Sequence, residues 1–368
     1  MADLAFLPLW YGEAGDYVLV DRVADVSDFL STIPYEIRPR VYPVSFTEKP
    51  VLEADVTLLE AASWGLSPQS IHLFETLRQN VPLLSVPRWD KAFWHLTHRH
   101  TAIDCLQELS QLTDVTPPQI FTDINDVQNF ITTHPQPCIV KTPFSCSGRG
   151  VRWIQRGQWD EQTRRWVSGA LGKQQSVGIE TALNKVCDFA MEFESDGDGH
   201  VVYSGLSVFE TSADGAYSGN MLGEKNLLEK RLTNFVPGSE LDKVREAVCV
   251  VLAKKIGVAC KGLLGVDMLI YRQGTSFRIH PFIELNLRRT MGHVCLQLGE
   301  QLIYPSSQGR FVVVCQPAGE AFRAHLQMVE MHPLQIAGDK IRSGYFSLCP
   351  VTPATKYRAY VEISSGTK

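Results

Sequence analysis

No stretch of this chain approaches the roughly 18 continuous apolar residues that a membrane-spanning helix needs, so no contact with a bilayer is expected. A basic cluster is also missing. Lys and Arg number 35 and Asp and Glu 40, scattered along the chain for a net charge of −5, so the electrostatic footprint of a nucleic-acid or anionic-membrane binder is lacking. The opening MADLAFLPLWYGEAGD has a short apolar stretch but neither the positive flank nor the small-residue cleavage site of a secretory signal. Among nine cysteines there is no Cys-x-x-Cys pair. Their odd number and wide spacing argue against a disulfide framework and a thiolate zinc site, and a reducing, cytoplasmic location fits. His98 and His100, the nearest histidine pair, read as a polar helix start rather than as metal ligands. Low-complexity segments and internal repeats are absent as well.

What is present is a globular composition, 44% hydrophobic and 20% charged. At 368 residues the chain exceeds the roughly 250 to 300 at which single cores stop growing, so two or three modules are expected. Residues 1–95 alternate apolar patches (YVLVD at 17–21, VTLLEAA at 56–62, PLLSVP at 82–87) with turn residues, as an α/β module does. A helix over 101–112 stops at the two prolines of DVTPPQ. Then come a capped helix at 123–131, a strand at 137–143, the loop FSCSGRG at 144–150 and a strand at 151–155. Strands at 188–194 and 201–208 flank an Asp-Gly turn, and an amphipathic helix over 241–256 is closed by Gly257. Strands at 263–271 and 277–287 form a hairpin, and short strands with one helix near 319–330 fill the tail.

Three constellations carry chemistry. Asp267 sits in one apolar strand and Glu284, Asn286 and Arg288 in the next. A carboxylate among Val, Ile, Leu and Met is costly unless paired or bound to a cation. Two carboxylates and an amide oxygen are a hard set suited to Mg²⁺. Residues 284, 286 and 288 alternate and are expected on one face. Whether Asp267 joins them depends on the hairpin register, and Pro281 suggests a bulge in the second strand. The second constellation is Lys141 followed by Ser145, Cys146, Ser147, Gly148, Arg149 and Gly150, a point charge and a small-residue turn whose N–H groups can cradle phosphate. It is neither a Walker A loop nor a Rossmann fingerprint. The third is GIETAL at 178–183, where Glu180 can accept hydrogen bonds from a ribose.

Taken in order, these segments resemble the ATP-grasp superfamily over roughly residues 90 to 295: a strand with a phosphate-binding lysine and flexible loop (PCIVKTPFSCSGRGV), a nucleotide-holding hinge (GIETAL), and a magnesium end (GVD, then ELNLR). The resemblance implies a mixed α/β and α+β ATP-grasp fold, with an N-terminal α/β module at 1–95 and two α+β lobes enclosing the nucleotide at 96–178 and 179–300. Residues 301–368 form a C-terminal extension. It also implies that Lys141, Ser145, Ser147, Gly148, Arg149, Gly150, Ile179, Glu180 and Arg99 contact ATP, Arg99 sharing with Lys91 the role of a basic residue at the entry of the region. Asp267, Glu284 and Asn286 would hold Mg²⁺ (or Mn²⁺), and Arg288 with Lys141 would act in catalysis. The polar segment FETSADGAYSGNMLGEK at 209–225 takes the place of a substrate loop, with Tyr217, Asn220 and Lys225 as candidates.

The activity so implied is ADP-forming ligation: ATP activates a small, amino-acid-like or peptide-like carboxylate as an acyl phosphate, and an amine attacks it. Phosphoryl transfer asks a protein mainly for positioning and charge neutralisation, which suits a site without a nucleophilic triad. A kinase acting on a small-molecule hydroxyl and a non-catalytic ATP-binding protein are the alternatives. The expected partners are ATP, the carboxylate and the amine, with no nucleic acid or membrane, and a homodimer is the default assembly.

Overall fold

A computed structural model describes residues 2–45, 51–88, 90–145, 150–212 and 217–365. The expected phosphate-loop residues Ser147, Gly148 and Arg149, with Cys146, lie outside these described residues. The chain divides into two compact units that do not follow its linear order. One comprises residues 90–217 and 229–287, the other residues 1–89, 218–228 and 288–368.

The first of these contains two antiparallel sheets. The smaller has the strand order Gln119–Phe121, Val177–Thr181, Cys138–Lys141, Val151–Ile154. Alternation decides its faces. Cys138, Val140, Ile154, Val177 and Ile179 point into a core with Val127 and Ile131 of the helix Ile124–Thr133 and Val167 and Ala170 of the helix Glu161–Gln174. Asp123 caps the first helix by accepting from the N–H groups of Asn125 and Asp126, as expected. The second helix, capped by Asp160, was not anticipated: with few apolar residues in EQTRRWVSGALGKQ, only Val167 and Ala170 mark its buried stripe. Each fully buried aliphatic side chain contributes about 1.5–3 kcal/mol, and this core orients the opposite face, which bears Ile139, Lys141, Gly178 and Glu180.

The larger sheet of this unit runs Ser276–Asn286, Lys261–Gln273, Asn184–Asp196, Val201–Thr211. Leu264, Val266 and Met268 stand opposite Phe193, Met191 and Phe189 on one face, all buried. The helix Gly238–Lys255 packs there through Leu241, Val244, Val248, Val251 and Leu252, with its Arg245 over the Tyr203 ring at 5.4 Å. It ends as expected at Gly257, where a Cβ would stand 2.8 Å from the Ala253 carbonyl oxygen. The outer hairpin turns at Gly274 with φ +62°, a left-handed conformation that glycine adopts freely.

In the other unit, short parallel pairs (Tyr17–Val20 with Tyr42–Ser45, and Leu59–Glu60 with Leu84–Ser85) accompany the helices Val23–Ser31 and Pro68–Arg78, the expected α/β module. The tail supplies the antiparallel strands Ser307–Cys315, Tyr357–Ser365 and Lys340–Ser347 and the helix Glu320–Met331. Its contacts with the module are specific: Trp10 donates from Nε1 to the Leu348 carbonyl at 2.6 Å, and the Asp3 carboxylate accepts from the N–H groups of Lys356 and Tyr357 at 3.0 Å each. Among the described residues no helix is long and apolar enough to cross a membrane.

Candidate nucleotide and metal site

The hairpin register answers the question the sequence left open. Asp267 stands opposite Glu284, and Gly265 opposite Asn286. Cross-strand partners share a face with Cβ atoms about 4.5–5.5 Å apart, so the two carboxylates and the amide gather on the sheet face away from the helix Gly238–Lys255. The step from Asp267 to Leu269 faces the longer step from Glu284 back to His280, so the second strand bulges around Pro281, as its proline suggested. Ala190 continues the row beyond Asp267 and Glu192 the row beyond Gly265. Glu192 is fully buried.

Arg99 ties this row to the phosphate-loop strand. It opens the helix Arg99–Glu108, which packs on the strand Ser276–Asn286. Its Nη1 donates to Glu284 Oε2 at 3.2 Å, its Nε to the Thr142 carbonyl at 2.9 Å and its Nη2 to Ser145 Oγ at 2.8 Å, while its backbone N–H donates to the Pro143 carbonyl at 3.1 Å. Of the two basic candidates near 91–100, Arg99 is thus engaged at the site, whereas Lys91 is exposed at the start of the helix Lys91–Leu96. The loop's far end is held by Thr142, whose N–H donates to the Gly150 carbonyl at 2.8 Å. A Cβ on Gly150 would lie 2.1 Å from Thr142 Oγ1 and 2.3 Å from Ser145 Cβ, so only glycine fits this closure.

On the smaller sheet Lys141 lies opposite Gly178 and Glu180 opposite Ile139, a diagonal pair on one face. Lys141 Nζ and Glu180 Oε1 are 2.5 Å apart, with side chains 11% and 13% exposed. They line a narrow cleft with Arg99, Ala102, Ile103, Leu106, Phe282 and Ile283, apolar walls with charge at one side. A second small hollow is lined by Arg99, Ser145 and Glu284. Buried His280 is held neutral, its pKa lowered to about 3 first by desolvation and then by the Lys141 charge. His280 was missed in the sequence, although a histidine inside FRIHPFIEL is the kind of break in an apolar strand that can mark a site.

Four expectations need correction. Ile179 is 1% exposed in the small-sheet core, because its parity sends it away from the cleft, so its side chain is no ligand contact. Arg288 does not share the strand face of Glu284 and Asn286. The strand ends at Asn286, and Arg288 lies in a bend with its Nη1 donating to the Arg289 carbonyl at 3.0 Å. In the segment 209–225 the three candidates lie on regular elements rather than in a loop: Tyr217 and Asn220 belong to the strand Tyr217–Leu222 and Lys225 starts the helix Lys225–Thr233. Asn220 is a 2% exposed residue opposite Phe311, buried by its ladder rather than offered to a substrate.

The oxygen set fits the metal expected of it. Among the described residues no three His, Cys, Asp or Glu side chains are grouped to hold a metal by themselves. Two carboxylates and an amide leave the rest of a Mg²⁺ shell to phosphate oxygens and water, which that ion keeps readily.

No protein-family model and no curated protein sequence matches the chain. Solved structures do. The chain is similar to N5-carboxyaminoimidazole synthetase from Staphylococcus aureus complexed with ADP at 13% identity and a TM-score of 0.51, covering 98% of this chain and 90% of that one. It is similar to the biotin carboxylase–β,γ-ATP complex from Campylobacter jejuni at 10% identity and a TM-score of 0.54, covering 99% and 86%. A third is N5-carboxyaminoimidazole synthase from Aspergillus clavatus in complex with ADP and 5-aminoimidazole ribonucleotide, at 11% identity and a TM-score of 0.51, covering 95% and 87%. At such identities the likeness is one of fold, and that fold, mixed α/β, is the ATP-grasp fold.

Proposed function

We propose that this chain is an ATP- and Mg²⁺-dependent ligase that forms ADP while activating a carboxylate as an acyl phosphate for attack by an amine. The observation that carries this is the register that sets Asp267 against Glu284 beside Asn286, with Arg99 joining Glu284 to Ser145 at the base of the phosphate loop. The similar proteins crystallised with ADP or an ATP form support a nucleotide in that place.

Asp267, Glu284 and Asn286 would hold Mg²⁺, which would supply neutralisation of the polyphosphate charge. Lys141 places a positive charge on the nucleotide phosphates, and Glu180 fixes the lysine until the ribose hydroxyls compete for its carboxylate. Ser145 and Gly150 frame the loop that closes over the phosphates. The substrate carboxylate oxygen bonds to the γ-phosphorus while the bond to the β-bridging oxygen breaks and ADP leaves. The amine then adds to the acyl carbon, releasing phosphate and a proton. Arg288, two residues beyond Asn286 in the chain, neutralises the charge of the transferred group. The whole asks for positioning and electrostatics and no covalent enzyme intermediate.

The test is a screen of amines and small carboxylates with ATP and Mg²⁺, reading ADP and free phosphate together. Equal release of both, dependent on carboxylate and amine, is the expected result. ADP without free phosphate would replace ligation by kinase chemistry, and nucleotide binding with no substrate-dependent ADP would leave a non-catalytic binder.

A further inference from the structure

Phe144 directly precedes Ser145, where the chain leaves the smaller sheet for the expected phosphate loop. Its backbone is held on both sides by one side chain. Gln174, the last residue of the helix Glu161–Gln174, accepts from the Phe144 N–H through Oε1 at 2.8 Å and donates from Nε2 to the Phe144 carbonyl at 3.0 Å. A carboxamide offers an acceptor and a donor group, and both are spent here on a single residue. Because each peptide group is planar, fixing this N–H and this carbonyl fixes the peptide planes on either side of Phe144, and the second plane contains the nitrogen of Ser145. The Phe144 carbonyl also accepts from Thr142 Oγ1 at 3.2 Å.

The ring of Phe144 is fixed as well. Trp94 stacks on it with centroids 4.6 Å apart and planes 15° from parallel, and His98 meets it nearly perpendicular at 4.9 Å. His98 is itself held as the cap of the helix Arg99–Glu108, its Nδ1 accepting from the His100 N–H at 2.9 Å. All of these residues belong to one compact unit. The helix that supplies Gln174 ends on Gln175 at φ +66°, among the described residues the one non-glycine in the left-handed region, a conformation that residues with a side chain rarely adopt. Only Ser176 separates that sharp turn from the strand Val177–Thr181, which carries Glu180. The turn thus leaves Gln174 against Phe144 and starts the Glu180 strand at once.

We infer that Gln174 is a positioning residue for phosphate binding: by clamping Phe144 it sets the place of Ser145, whose Oγ accepts from Arg99 Nη2 at 2.8 Å, and so the point from which the phosphate loop departs. This rests on the nucleotide site proposed above and adds to it a residue that acts through another. A side chain that only tied a helix end to its neighbour would affect stability and leave nucleotide affinity alone. A positioning residue acts on the phosphates and spares the base and ribose, which the Glu180 cleft would hold.

The test compares the full chain in its wild-type, Gln174→Met and Gln174→Ala forms. Binding of β,γ-imido-ATP with Mg²⁺ is measured calorimetrically, and binding of adenosine by ligand-observed NMR. Gln174→Met keeps the length of the side chain and Gln174→Ala removes it, while both abolish the two hydrogen bonds. Both should weaken β,γ-imido-ATP about tenfold, the scale of one neutral hydrogen bond, and leave adenosine within about twofold of the wild type. Unchanged β,γ-imido-ATP affinity in Gln174→Met, whatever its melting temperature, or equal losses for β,γ-imido-ATP and adenosine, would overturn the assignment and make Gln174 a packing residue. Failure of β,γ-imido-ATP with Mg²⁺ to bind the wild type would instead strike the nucleotide site, and the positioning role with it.

Discussion

The two charged faces of the site-bearing unit are neutralised differently. On the smaller sheet Lys141 meets Glu180 within one pair of adjacent strands. On the larger sheet Glu284 meets Arg99, which arrives from a helix 185 residues earlier in the chain. The first charge is settled locally; the second depends on tertiary structure. A local pair can be preformed and exchanged for a ligand, whereas a long-range tie couples the phosphate-loop base to the metal row, so that disturbing one disturbs the other.

The largest effect should come from breaking the local pair. Lys141→Met leaves Glu180 as an uncompensated, largely buried charge and is expected to cost about 3–5 kcal/mol. Lys141→Met with Glu180→Gln should recover much of that loss. Denaturant melts of the two singles and the double measure the coupling, and simple additivity would show that the pair contributes nothing. Gly150→Ala should lower stability by about 1–3 kcal/mol, since its methyl must displace Thr142 or Ser145. Thermal melts check this, and an unchanged melting temperature would mean that the loop base relaxes freely.

Arg99→Gln tests the long-range tie. Stability should change little, while Mg²⁺-dependent nucleotide affinity should fall about 10–100-fold, as when support behind a metal ligand is lost. A fall in stability with nucleotide affinity intact would make Arg99 a packing residue only. The smallest effect concerns His280, whose pKa in the folded chain is about 3 against an ordinary 6.5. The unfolded chain binds this proton more readily, so folding stability should decline as pH drops below about 6.5 and keep declining toward about 3. Stability against pH for His280→Gln should be flatter across that window, and a parallel curve would contradict the assignment.

Much of this architecture was legible where local rules suffice. Asp-capped Ile124–Thr133, the hairpin closing at Gly274 and the helix stopping near Gly257 each follow from residues adjacent in sequence. Asp267, Glu284 and Asn286 stood out because charges in apolar strands need a reason. Their meeting did not, because it depends on a register displaced by the bulge around Pro281. Arg99 was visible only as one of several basic residues, since nothing near it in sequence names Thr142, Ser145 or Glu284. Ile179 was misassigned through motif adjacency, and one step of strand parity sends it into the core beside Val140. The union of the tail with the first module through Trp10 and Leu348 likewise lies beyond any local signal.

The central claim, that Asp267, Glu284 and Asn286 hold Mg²⁺ for a nucleotide, is tested most directly by ADP affinity with and without Mg²⁺ in the wild type, Asp267→Asn and Glu284→Gln. The wild type should bind ADP at least about tenfold more tightly with Mg²⁺, an increment of about 1.4 kcal/mol, and both variants should lose that increment while keeping the Mg²⁺-free affinity. No Mg²⁺ increment in the wild type, or the same increment in both variants, would contradict it.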